Sequence, residues 1–164
     1  MAAPADPDPA SPAAGGPTAA AAAGDPAAST AANATGPGTA TGLRALVMDY
    51  GGVLTEGAPM LSLPHRARKA GLATALVSDA HAVPDAVARL FDVVVLGGSL
   101  GVRKPDPEVF RRVAGLLRVA PTECVVVDDL ARNVRGATAA GAVGVLHRAV
   151  SLTVEEVEIL LDLP

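Results

Sequence analysis

The acidic residues most suited to chemistry come directly after apolar runs. Asp49 follows LRALVM and precedes Gly51 and Gly52, while Asp128 and Asp129 follow CVVV. An apolar run ending in a carboxylate is typical of a buried parallel strand whose carboxyl end faces a ligand. At about 4–5 Å and an effective dielectric constant near 20, two such carboxylates repel by roughly 3–4 kcal/mol. The adjacent pair therefore predicts a neutralising partner.

Three other polar residues occupy comparable positions. Ser78 ends the apolar run LATALV, Lys104 lies in a loop before PDPEVF, and Asn133 follows Asp129 by one helical turn. Each alone could be a cap or an ordinary surface residue. Lys104 is less ordinary, because only 2 of the 13 basic residues in this chain are lysines.

The charges of these residues predict a metal ion. Asp49, Asp128 and Asp129 contribute three negative charges and Lys104 one positive charge, so one divalent cation would balance the rest. Oxygen ligands with few protein donors favour Mg²⁺, which retains waters and takes substrate phosphate. Lys104, the Ser78 hydroxyl and the glycine backbone at Gly52 would then surround a phosphoryl group. Asp49 would be its in-line nucleophile, forming an aspartyl-phosphate.

The elements that must position these residues alternate between strand and helix. Strands are predicted to end near residues 48, 77, 96, 127 and 146, and helices are predicted at 65–70, 84–90, 107–119, 131–140 and 154–161. A loop over 56–59, an N-cap at Asp106 and a capping box of Thr153 and Glu156 accompany them. This alternation predicts an α/β fold with a parallel sheet, and right-handed crossovers bring the carboxyl ends of its strands to one edge.

Composition limits the partners and the compartment. The net charge of −4 and the scarcity of aromatic residues argue against nucleic-acid binding, and no apolar run is long enough to span a membrane. Cys124 is the only cysteine, which fits a reducing compartment and predicts a cytoplasmic protein. Residues 1–42, rich in Ala, Pro and Gly, are predicted to be a disordered tail, and residues 43–164 to be the folded domain.

Four segments together resemble the motifs of the haloacid dehalogenase-like superfamily, in the order of that superfamily: DYGGVLT, ALVSDA, GVRKPDPEVF and VVVDDLARNVRGATAAG. The resemblance covers residues 43–147. It implies a capless core like that of subfamily IA, with a Rossmann-like three-layer fold and a five-stranded parallel sheet in the order 5-4-1-2-3.

The same resemblance implies a role for each candidate residue. Asp49 would be the nucleophile and a Mg²⁺ ligand, and Asp129 the second main ligand. Asp128 would support that ligand or bind through water. Ser78 and Lys104 would bind phosphate, and Asn133 would orient the metal cluster.

The chain departs from the family pattern at Gly51. Phosphatases of the family usually carry there a second Asp, which protonates the leaving group and later activates water. The Gly51 carbonyl can still coordinate Mg²⁺, but a general acid–base contributing about 10²–10⁴-fold is missing. Poor leaving groups such as sugar alkoxides should suffer most, and acyl or aryl phosphates least.

The second departure is the absence of a cap domain. Only 29 positions separate Asp49 from Ser78, and 26 separate Ser78 from Lys104, which leaves no room for an inserted domain. The site is therefore expected to be open to solvent. An open site favours a large phosphorylated substrate, a protein partner, or a homo-oligomer that covers it.

The sequence thus predicts Mg²⁺-dependent hydrolysis of a phosphoester or acyl phosphate. The alternative is a non-catalytic module that keeps the fold and binds metal or phosphate for regulation. A dehalogenase is a third hypothesis. A receiver domain shares the chemistry, but there the acidic pair comes first and the lysine last, the reverse of the order in this chain.

Overall fold

The computed structural model describes residues 39–164, so most of the tail predicted over residues 1–42 lies outside the described residues. Within the described part, none of the helices combines the length and apolar character needed to cross a bilayer. The elements are, in chain order, β1 (Ala45–Met48), α1 (Ala58–Lys69), β2 (Ala73–Ser78), α2 (Asp85–Ala88), β3 (Val93–Leu96), α3 (Pro107–Leu116), β4 (Cys124–Asp128), α4 (Ala131–Ala140), β5 (Val143–Leu146) and α5 (Val150–Leu161). Short 3-10 turns precede α1 and β4, at Leu54–Glu56 and Pro121–Glu123.

The five strands form one parallel sheet in the order β3-β2-β1-β4-β5. This is the predicted order, read from the opposite edge. The register pairs Met48 of β1 with Leu76 of β2 and Val127 of β4, so these strands end at the same level. Their carboxyl ends, and the residues that follow them, therefore share one edge of the sheet.

The central strand is buried on both faces, as its uninterrupted apolar sequence predicts. Leu46 and Met48 belong to the core with residues of α1 and α5, whereas Val47 belongs to the core with residues of α3 and α4. Helices therefore cover the sheet on both sides. Among residues 39–164 there is no further domain, and no cap lies over the carboxyl edge.

Helix α1 begins earlier than the sequence indicates. Residues 56–59 were predicted as a loop and the helix at 65–70, but α1 runs from Ala58. Pro59 lies in its first turn, where a missing N–H costs nothing. Pro64 lies inside the helix, and the cost of its missing hydrogen bond is offset because Met60, Leu63 and Ala67 bury one face against the core.

The capping box predicted at Thr153 and Glu156 is wrong. Helix α5 begins at Val150 after the N-cap residue Ala149, so Thr153 lies within the helix. Its hydroxyl is 2.8 Å from His147 Nδ1 in the interior. The Thr153 hydroxyl therefore bonds to His147, which is outside the helix, and does not cap the helix as the local sequence pattern predicts.

Other helix ends follow the sequence. The Asp106 carboxylate accepts the Glu108 N–H at 2.9 Å at the start of α3, as predicted. Gly141, with φ of 104°, ends α4 in the left-handed conformation that favours glycine. The first boundary follows the loop that carries Lys104, and the second ends the β4–α4 unit that carries Asp128.

Candidate active site

Neighbouring elements bring the predicted polar residues to the carboxyl edge of the sheet. Asp49 follows β1, Ser78 ends β2, and Asp128 ends β4. Lys104 comes from the loop between β3 and α3. All four side chains are largely buried, with relative exposures of 9%, 6%, 1% and 9% in the order named.

Lys104 lies between two carboxylates. Its Nζ is 2.9 Å from Asp49 Oδ1 and 2.7 Å from Asp128 Oδ2. A buried ammonium group is stable only when paired, so the two carboxylates fix the position of this lysine. The pairing brings a positive charge directly beside the predicted nucleophile.

Asp128 is fully engaged within the protein. Its Oδ1 accepts hydrogen bonds from the Leu130 N–H and from Asn133 Nδ2, both at 2.9 Å. Its Oδ2 accepts from Lys104 Nζ and, at 3.1 Å, from Asn133 Nδ2. Asp128 therefore lies behind Lys104 as a supporting carboxylate and is not among the residues lining the cleft.

Asp129 remains available to a ligand. Asp49, Asp128 and Asp129 each offer a carboxylate oxygen within 4.8 Å of the others. Asp129 lies against Gly52, where an added Cβ would be 2.4 Å from Asp129 Oδ2 and where φ is +70°. Glycine at position 52 therefore leaves the room that Asp129 occupies.

Burial governs the charge of Asp49. Desolvation raises the pKa of its carboxyl above the ordinary value of 3.8, despite the opposing attraction of Lys104, and the negative charge of Asp128 adds to the rise. The positive charge of Lys104 therefore does not fully offset the cost of burying the ionised Asp49 carboxylate. A second cation at this edge would stabilise the carboxylate.

The candidate residues surround a cleft of about 280 Å³. Its walls are formed by Asp49, Tyr50, Gly51, Ser78, Asp79, Ala80, Lys104, Asp129, Leu130 and Asn133. The Ser78 hydroxyl accepts the Ala80 N–H at 3.3 Å, which fixes the turn after β2. The size and polarity of the cleft suit a phosphoryl group with part of its substrate.

Two glycines predicted to serve the site differ in placement. Gly51 lines the cleft and is exposed, and an added Cβ there would meet nothing within 4 Å. The Gly52 N–H donates to Thr55 Oγ1 at 3.0 Å, and Gly52 is not among the lining residues. Phosphate binding by Gly52 stays a prediction, which would require displacement of that hydrogen bond.

Asn133 is better connected than the sequence indicates. Its amide nitrogen bridges both oxygens of Asp128, whereas its buried Oδ1 has no hydrogen-bond partner within residues 39–164. An unpaired buried acceptor costs about 1–3 kcal/mol. Because Asn133 lines the cleft, a donor entering there, such as a metal-bound water, would satisfy it.

His147 was not among the residues predicted from the sequence. Its backbone N–H donates to the Asp128 carbonyl at 2.9 Å, and its ring lies buried with Nε2 at 3.5 Å from Glu56 Oε2. His147 thereby connects β5 to the turn that follows Asp49. Only the three-dimensional proximity of residues far apart in the chain reveals this connection.

Comparison with known proteins supports one family. The model of the haloacid dehalogenase-like hydrolase family matches residues 60–141, half of the chain. The chain belongs to the haloacid dehalogenase-like hydrolase family. The match begins after Asp49, so the case for that residue depends on the geometry described above.

A solved structure of similar extent has the fold of this family member. It is an uncharacterized protein from Corynebacterium glutamicum, 33% identical, with a TM-score of 0.65. The match covers 74% of this chain and 97% of that one. Nearly the whole of the Corynebacterium chain is therefore accounted for by the core described in this protein.

Curated relatives of this family member include phosphatases. A phosphoserine phosphatase from Thermus thermophilus is 39% identical over 85 residues, covering 46% of this chain and 33% of the relative. A glyceraldehyde 3-phosphate phosphatase from Methanopyrus kandleri is 44% identical over 59 residues, covering 35% and 25%. The chain thus spans a third or less of the length of these two relatives.

Proposed function

We propose that this chain hydrolyses acyl phosphates or phosphate esters through a phosphoryl group carried transiently on Asp49, with Mg²⁺ as cofactor. The observation that carries the proposal is Lys104 Nζ, 2.9 Å from the carboxylate of Asp49 on one wall of an acidic cleft. The phosphatase names of the two curated relatives support the same reaction class.

The residues of the cleft fit a magnesium ion. Asp49 and Asp129 offer carboxylate oxygens, and Gly51 lines the same cleft. The unpaired Oδ1 of Asn133 suits a water held by a metal, because Mg²⁺ usually keeps several waters. When bound, Mg²⁺ would neutralise charge on the phosphoryl oxygens.

Lys104, Ser78 and Asp49 have different roles in the proposed reaction. Lys104 holds one oxygen of Asp49 and offers positive charge to the phosphoryl group, and the Ser78 hydroxyl is a further donor at the cleft wall. A carboxylate oxygen of Asp49 attacks phosphorus, and the bond to the leaving oxygen breaks with its electron pair. Water then attacks phosphorus, which releases inorganic phosphate and regenerates Asp49.

Gly51 determines which substrates react well. It provides no side chain to protonate a departing oxygen, and general acid catalysis typically contributes about 10²–10⁴-fold. Carboxylate and phenolate leaving groups need no such proton. The proposed substrates are therefore acyl and aryl phosphates in preference to alkyl phosphates.

The test is hydrolysis of acetyl phosphate and p-nitrophenyl phosphate with Mg²⁺ by the wild type and by Asp49→Asn. Wild-type hydrolysis should stop in EDTA, and the variant should show only the uncatalysed rate. Asp85→Asn makes the same chemical change on exposed helix α2 and should retain wild-type activity. Equal rates for the wild type and Asp49→Asn would overturn the proposal.

A second candidate is a non-catalytic module that binds metal and phosphate. The missing carboxylate at Gly51 and the open cleft favour it. It predicts that Mg²⁺ with fluoroberyllate, a phosphoryl mimic, raises the melting temperature while neither substrate turns over. Turnover dependent on Asp49 excludes this candidate.

A further inference from the structure

We propose that Asp79 is the general base that directs water onto phosphorylated Asp49, in place of the carboxylate that position 51 lacks. The inference rests on the proposed function and assigns its second step. It follows from the location of Asp79, its fixed backbone, and the roles already taken by the other carboxylates of the cleft.

Asp79 lies on the solvent side of the cleft. It lines the same cleft as Asp49 and Ser78, but those two side chains are buried, whereas Asp79 is exposed. Because Asp79 is exposed and lines the same cleft as Asp49, its carboxylate is accessible to water that enters the cleft from solvent.

The backbone around Asp79 is held on both sides. The Ser78 carbonyl accepts the Gly97 N–H at 3.0 Å, which ties the end of β2 to β3. The Ser78 hydroxyl accepts the Ala80 N–H at 3.3 Å, which closes the turn over Asp79. Hydrogen bonds on both sides of Asp79 therefore restrain its backbone at the edge of the cleft.

The other carboxylates near the cleft already have roles. In the proposed function Asp49 is the nucleophile and Asp129, which lies against Gly52, is a metal ligand, whereas Asp128 is fully hydrogen-bonded behind Lys104. Within residues 39–164, Asp79 makes no ion pair or side-chain hydrogen bond. Its carboxylate oxygens are therefore free to accept a hydrogen bond from a water molecule in the cleft.

The Asp79 carboxylate takes a proton from water while the water oxygen bonds to phosphorus. The bond between phosphorus and the Asp49 oxygen breaks, and its electron pair returns to the Asp49 carboxylate. Inorganic phosphate leaves, and Asp79 returns its proton to solvent. The first step, loss of the leaving group, proceeds without Asp79.

This division of steps gives a kinetic signature. With p-nitrophenyl phosphate and Mg²⁺, Asp79→Asn should release a stoichiometric burst of p-nitrophenolate. Its steady state should then be slower than the wild type by about 10²–10⁴-fold. Acid-quenched Asp79→Asn should accumulate covalently bound phosphate. A merely structural defect would reduce the burst along with the steady-state rate.

Two variants serve as controls. Asp85→Asn removes the same charge from exposed α2 and should behave as the wild type. His81→Gln removes the nearby imidazole, which lies beside Gly97 and not in the cleft wall, and should also turn over without a burst. A burst in His81→Gln and none in Asp79→Asn would assign the base to His81 and overturn the inference.

The remaining outcomes are distinct. Suppose that the wild type is active. If Asp79→Asn keeps the wild-type steady-state rate, or if it loses both the burst and the steady-state rate, the inference is overturned and the proposed function stands. If the wild type is no faster than Asp49→Asn, the proposed function fails and the inference falls with it.

Discussion

At the scale of single residues, Lys104 organises the cleft. The sequence predicts a phosphate-binding lysine near Asp49, and strand ends alone suffice to predict that Asp49, Ser78 and Asp128 converge. The Lys104–Asp128 pair at 2.7 Å was not predictable, because it depends on how a loop of the β3–α3 connection folds back over β4. That pair explains why Asp128 supports the site from behind.

Adding a carboxylate at position 51 tests whether a missing general acid limits hydrolysis of alkyl phosphates. Gly51→Asp should raise turnover of an alkyl phosphate such as glycerol phosphate by up to about 10²–10⁴-fold, because a proton donor appears beside the leaving group. The open space around Gly51 admits the side chain. Gly51→Asn, of matched size but unable to transfer a proton, should not accelerate the reaction. Equal gains from both variants would show that proton transfer is not the cause.

The pKa of Asp49 predicts a dependence of stability on pH. Because burial raises this pKa above 3.8, the folded state binds more protons than the unfolded state in the window above that value. The contribution of Asp49 to stability therefore falls as pH rises through the window. In EDTA, Asp49→Asn should melt above the wild type at neutral pH, and the difference should shrink as pH is lowered towards 3.8. A difference constant with pH would contradict this assignment.

At the scale of elements, the close packing of α4 against the Lys104 loop sets a size limit. A Cβ at Gly136 would lie 2.0 Å from the Pro105 carbonyl oxygen and 2.9 Å from its carbon. Both atoms are backbone, so neither can move without moving the loop. The sequence alone did not identify this point of contact.

Gly136→Ala should therefore lower stability by about 1–3 kcal/mol in urea denaturation, and should reduce hydrolysis by displacing neighbouring Lys104. Gly115→Ala is the matched control, since Gly115 is also helical and its added Cβ meets nothing within 4 Å. It should raise stability by about 0.5–1 kcal/mol, as alanine does in a helix. Destabilisation of similar size in both variants would exclude the proposed contact.

The secondary structure was predictable where the local sequence pattern was compatible with only one kind of element. Strands β1 and β4 are apolar runs that end in aspartate, and both were located correctly. The start of α1 was missed because the prediction began the helix at residue 65, whereas Met60 and Leu63 already bury one face of it against the core. The start of α5 was missed because Thr153 bonds to His147 instead of capping the helix.

At the scale of the whole molecule, the sheet order was predictable because the four motifs resemble those of the haloacid dehalogenase-like family, and that resemblance implies this order. The open carboxyl edge was predictable from the short spacings between motifs. A second copy or a protein partner covering that edge stays a prediction, as does a cytoplasmic location. Neither is encoded in contacts within one chain.

Metal binding should be visible in the melting of the intact chain. At Mg²⁺ concentrations of 100 times Kd, stabilisation of the wild type should approach about 2.7 kcal/mol. Asp129→Ala should abolish this response yet leave the metal-free protein equally or more stable, because it relieves repulsion within the acidic cluster. Glu155→Ala, at an exposed position of α5, should keep the Mg²⁺ response. A large loss of metal-free stability in Asp129→Ala would assign a structural role to that residue.

The most direct test of the account is chemical trapping of the phosphorylated residue. The chain is incubated with acetyl phosphate and Mg²⁺, quenched, reduced with borohydride and mapped by peptide mass spectrometry. Borohydride converts an aspartyl-phosphate to homoserine, so homoserine should appear at Asp49, and Asp129 and Asp79 should remain aspartate. Homoserine at another residue and none at Asp49 would contradict the assignment of Asp49 as the nucleophile.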